Sequence, residues 1–152
     1  MNNNDVLRRL RYILDLNDSK MMSIFKLADV DADRDQVSAW LKRDDDAAFQ
    51  KCHDKQLATF LNGLINYKRG KKEGEQPKPE KKLTNNLIMK KLKIAFELKS
   101  DDVIEVITLT GLRLSPHELS AFFRKPDHKH YRECKDQVLR NFLQGLQAQY
   151  RP

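Results

Sequence analysis

The chain carries one pattern twice. Moved 82 positions along, residues 3–69 fall on residues 85–151 without a gap, and sixteen of the 67 pairs are identical. The identities include Asn3/Asn85, Asn4/Asn86, Cys52/Cys134, Asp54/Asp136, Phe60/Phe142 and Gly63/Gly145. Any fold must therefore be built twice, from modules of roughly 70 residues, a length marginal for a self-sufficient core. A position kept in both copies is one the shared scaffold needs. A position that differs is free of that demand.

The apolar residues recur with helical period. Val6, Leu7, Leu10, Ile13 and Leu14 predict a first helix, and Ile88, Met89, Leu92, Ala95 and Phe96 repeat it. Asp18 and Ser100 are the expected N-caps of the second helices. Capping boxes follow at Asp33/Gln36 and Ser115/Glu118, with Pro116 at the first helical position. A short third helix carries Val37, Trp40 and Leu41, matched by Leu119, Phe122 and Phe123. The last helix carries Leu57, Phe60, Leu61 and Leu64, matched by Leu139, Phe142, Leu143 and Leu146. No stretch alternates convincingly with period two. The expected fold is all-α: two homologous modules of four to five helices at residues 1–70 and 83–152. Residues 71–82, KKEGEQPKPEKK, contain two prolines and no apolar side chain, and read as an exposed linker.

The duplication removes many candidates for chemistry. Gly63 and Gly145 each cost about 1 kcal/mol within a helix, so their recurrence predicts a tight helix crossing. Cys52 and Cys134 read as small core residues, and Asp45/Asp127 as a turn or cap. His53, His117, His128 and His130 all lack a counterpart of the same type, and the Asp44–Asp46 run keeps only its middle member. No metal and no cofactor are expected. Phosphate-cradling glycine loops, nucleophile elbows, HExxH and CxxC are absent, so an enzyme is not expected. No run is long enough to span a membrane. The amino terminus lacks the pattern of a signal peptide, so the expected location is the cytoplasm.

Charge divides the copies. Net charge is +7; residues 1–70 hold 12 basic against 11 acidic side chains, and residues 83–152 hold 12 against 8. The basic second half is compatible with an anionic partner. Residues 103–125, VIEVITLTGLRLSPHELSAFFRK, also resemble a helix–turn–helix, with a turn about two residues longer than the tight form. On that reading Arg124 and Lys125, with Lys90, Lys91 and Lys93 of the preceding helix, contact phosphates, and His117 and Ser120 face bases. Lys42 and Arg43, with Arg34 and Ser38, are the first-copy equivalents. There Asp29, Asp31, Asp33 and Asp35 would repel phosphate. The expected function is a nucleic-acid-binding or regulatory module acting mainly through the second copy. The alternative is a protein–protein adaptor using a helical groove or the cleft between modules.

The pairing of NNDVLRRLRYILDL with NNLIMKKLKIAFEL, the SAWLKR/SAFFRK helix and the FLNGL/FLQGL helix resemble the YehS-like family of bacterial duplicated-module proteins of unknown function. The resemblance spans essentially the whole chain. It implies a small cytoplasmic bacterial protein and brings no catalytic or binding residue with it.

Overall fold

A computed structural model describes residues 1–151, and every regular element among them is an α-helix. The chain divides into two compact units, Met1–Leu83 and a second beginning at Thr84. The first holds α1 (Asn3–Ile13), α2 (Asp18–Leu27), α3 (Arg34–Leu41) and α4 (Asp54–Arg69). The second holds α5 (Asn85–Ala95), α6 (Ser100–Thr108), α7 (Pro116–Phe122) and α8 (Asp136–Tyr150). Each helix of the second unit starts 82 residues after its counterpart. Among the described residues no helix is long and apolar enough to cross a membrane.

The second helices start one cap earlier than expected. Their N-caps are Asn17 and Lys99, and Asp18 and Ser100 are the first helical residues. Asn17 accepts the Lys20 N–H at 2.8 Å, whereas in the second unit the Asp102 carboxylate accepts the Lys99 N–H at 2.8 Å. Asn is as good a cap as Asp, and a carboxylate at the first helical position is still favoured by the helix dipole. Ser115 and Glu118 form the expected capping box around α7, with Pro116 at its start. Asp33 caps α3 by accepting from Asp35.

Within each unit the second and last helices make the most extensive contact, α2 with α4 and α6 with α8. The glycines explain how. A Cβ on Gly63 would sit 2.0 Å from the Ile24 carbonyl oxygen, and one on Gly145 would sit 2.1 Å from that of Val106. Only a hydrogen fits where the helix backbones meet. Around the first crossing the Phe25 ring lies 5.3 Å from Phe60 and 5.6 Å from Trp40, in tilted contacts. Leu57, Phe60, Leu61 and Leu64 are buried there, and Leu139, Phe142, Leu143 and Leu146 in the second unit.

The first helix ties down the loop between the third and fourth. Asn4 donates from Nδ2 to the carbonyls of Trp40 and Gln50, both at 2.9 Å, and accepts the Cys52 N–H at 3.0 Å. Asn86 does the same to Phe122, Arg132 and Cys134 at 2.9, 2.8 and 3.0 Å. Beside it, Asn3 bonds the Cys52 carbonyl and Asp54, and Asn85 bonds the Cys134 carbonyl and Asp136. Four of the sixteen identical pairs, Asn3/Asn85, Asn4/Asn86, Cys52/Cys134 and Asp54/Asp136, thus belong to one repeated network. Asp45 and Asp127 fall in a turn of the same loop, but the capping acceptor is the next residue. Asp46 accepts the Ala48 N–H at 2.8 Å, and Nδ1 of His128 accepts the His130 N–H at 3.0 Å.

Residues 71–82 are non-helical and mostly exposed, yet they are bonded to the first unit. Lys71 pairs with Asp29, Gln76 accepts from Asn66 at 2.7 Å, and the N–H of Leu83 donates to Asp54 at 2.8 Å.

Candidate functional site

The short helix α7 buries Leu119 and Phe122 and leaves its other face open. His117 and Ser120, three residues apart, are exposed on that face, and Arg124 is exposed just past the end of the helix. They do not stand on a convex ridge. They line one side of a cleft of about 930 Å³ on the second unit. Arg113, in the α6–α7 turn, adds to this side, and Lys129, Arg132 and Lys135 come from the α7–α8 loop. The floor is apolar, formed by Leu114, Phe122 and Val138 among others.

Five Lys and Arg side chains therefore face one cleft with two carboxylates, Glu118 and Glu133. Both carboxylates are engaged: Glu118 caps Ser115 and Glu133 pairs with Lys135 at 3.3 Å. Arg113, Arg124, Lys129 and Arg132 carry no ion pair among the described residues. Five cations against two carboxylates leave the lining at a net +3, and a concave surface focuses that positive potential where a flat one would dissipate it into solvent. The loop that carries Arg124, Lys129 and Arg132 is held in place, because Asn86 grips the backbone at Phe122, Arg132 and Cys134.

The first unit shows what the scaffold alone requires. At the positions of Arg113, His117, Lys129, His130 and Arg132 it has Asp31, Asp35, Ala47, Ala48 and Gln50. The fold is preserved and the positive charge is lost at these positions, although Lys42 keeps it at the position of Arg124 and Lys51 stands where the second unit has Glu133.

The structure gathers only part of the residues singled out from the sequence. Arg124, His117 and Ser120 share the cleft, whereas Lys125 is exposed outside it. Lys90, Lys91 and Lys93 lie on α5 and do not line it. Lys93 sits over the Phe123 ring at 5.8 Å. In the first unit Arg43 lies 3.7 Å from Asp45, the Lys42 carbonyl accepts from Arg8, and Arg8 is paired with Asp5 and Asp44. Arg34 donates to the Ser19 hydroxyl at 2.7 Å, and Ser38 is half-buried. Arg113, Lys129, Arg132 and Lys135 escaped the helix-based reading because they lie in a turn and a loop, where no periodicity marks a face. The signal that could have found them was the difference between the copies at those positions.

The titrating groups of the shared network are structural. Burial pushes the thiols of Cys52 and Cys134 up to about 12, far from the depressed value a thiolate nucleophile needs. Hydrogen bonds from Asn3 and Asn85 hold the carboxyls of Asp54 and Asp136 below the usual range.

Comparison with known proteins places this architecture. A family model described as "Protein of unknown function (DUF1456)" matches twice, over residues 3–70 and 85–151. The "Uncharacterized protein YehS" of Escherichia coli (strain K12) is 47% identical over 149 residues, covering 97% of this chain and 96% of its own length. No solved structure gives a significant match.

Proposed function

The chain belongs to the DUF1456 family, whose description names no activity, and from the cleft of the second unit we propose a nucleic-acid-binding module. The observation that carries this reading is the set of cations with no ion pair among the described residues, Arg113, Arg124, Lys129 and Arg132, around one concave surface. Guanidinium and ammonium groups neutralise backbone phosphates without reading sequence, and their binding releases condensed counterions. We read the role of this cleft as binding. The buried thiols and the hydrogen-bonded aspartates serve the scaffold.

A salt titration of the full chain with labelled nucleic acid tests this. Three to four phosphate contacts give a slope of log affinity against log salt of about −2 to −3. Binding that ignores salt, or no binding at low salt, overturns the reading. A second reading rests on the apolar floor of Leu114, Phe122 and Val138, which would suit the side chains of an acidic peptide held by an adaptor. It predicts affinity that persists at salt concentrations where a phosphate contact is screened.

A further inference from the structure

We infer that the cleft of the second unit takes a single strand of nucleic acid rather than a duplex. This rests on the nucleic-acid reading above and narrows it.

A helix that reads duplex DNA must enter a major groove about 12 Å wide and 8.5 Å deep, so it has to project from its protein. The seven residues of α7 span only about 10 Å. Its exposed face forms a side of a cleft whose other side is the loop carrying Lys129, Arg132 and Lys135. A seven-residue helix whose exposed residues line a concavity is poorly suited to entering a major groove. A flexible single strand can follow the cleft between the two sides.

The floor gives the second argument. A duplex hides its base faces within the stack and offers only phosphates, sugars and base edges. Leu114, Phe122 and Val138 would then have nothing apolar to meet. Unpaired bases present flat faces to an apolar floor and to the rings of His117 and His130, which also line the cleft. A cationic rim over an apolar base is the arrangement that serves a chain of alternating phosphates and bases.

The third argument is rigidity. Three bonds from Asn86 fix the backbone on which Phe122 and Arg132 sit. Such a wall loses little freedom on binding, so a flexible strand supplies most of the ordering cost.

The test measures the full chain against labelled strands of about a dozen nucleotides, as DNA and as RNA, against the blunt duplex of the same sequence, and against polyglutamate. A triple variant, Arg113→Asp, Lys129→Ala and Arg132→Gln, is measured in parallel. Each replacement is the residue the first unit carries at that position, so the scaffold accepts it; circular dichroism checks the fold. The expected result is single-strand binding at least about tenfold tighter than duplex binding, reduced at least about tenfold in the variant. Preference for one sugar still supports the inference and identifies the strand. Duplex binding as tight as single-strand binding overturns the single-strand inference and leaves the nucleic-acid reading standing. Polyglutamate bound as tightly as the strand, no binding at all, or a variant that binds the strand unchanged overturns both.

Discussion

The amide of Asn86 reaches three backbone groups at once, and Asn4 repeats the arrangement in the first unit. Asn4 has no exposed surface and Asn86 is 6% exposed, so water cannot replace these bonds without opening the unit. Removing such an amide leaves two carbonyls and one N–H unsatisfied, each costing about 1 kcal/mol or more. Asn4→Ala should therefore lower stability by about 3 kcal/mol, read as a drop in the urea midpoint. Asn4→Asp should not rescue it. A carboxylate can accept from Cys52 but cannot donate to Trp40 and Gln50. The identity of Asn3 and Asn4 with Asn85 and Asn86 was visible in the sequence, but their role was not. A polar residue at the start of a helix normally suggests solvent or a cap. Only the folded chain brings Asn4 to backbone 36 to 48 residues away.

At the scale of elements, the close crossing of α2 with α4 decides what α4 can carry at position 63. An exposed helix would gain about 1 kcal/mol from Gly→Ala. Here the new methyl carbon would fall 2.0 Å from a backbone oxygen of α2, which cannot rotate away as a side chain could. Gly63→Ala should thus destabilise by about 2 kcal/mol net, with α2 and α4 forced apart over the Phe25–Phe60 contact. Urea unfolding measures it, and an unchanged or higher midpoint would show that the crossing is looser than the geometry states. This element pair was the most legible part of the fold: recurrent apolar residues fixed the helices, and recurrent glycine marked the crossing. The helix starts were less legible: Asn17 and Asp18 are both good caps by type, and in the second unit the better cap by type, Ser100, is already helical while Lys99 holds the cap position without a side-chain bond. The cleft was the least legible, since loop side chains converge through tertiary structure alone.

For the whole molecule, the two units are one scaffold with two surfaces. The network of Asn, Cys and Asp residues and the glycine crossing act largely through backbone groups, and leave the cleft positions to vary. This makes the division between the units reversible in principle. Asp31→Arg, Ala47→Lys and Gln50→Arg together should give the first unit a basic surface like that of the second. The expected outcome is a rise from one strand to two bound per chain, measured by titration at concentrations far above the dissociation constant. A stoichiometry fixed at one, with the fold intact, would mean that charge alone does not make the site. The segment after α4 has a different consequence. Because Lys71, Gln76 and Leu83 are bonded to Asp29, Asn66 and Asp54, a polypeptide cut after residue 70 would lose a brace as well as a tail. The natural place to separate the halves is at Leu83, where the helical pattern is about to begin again, rather than where its first statement ends.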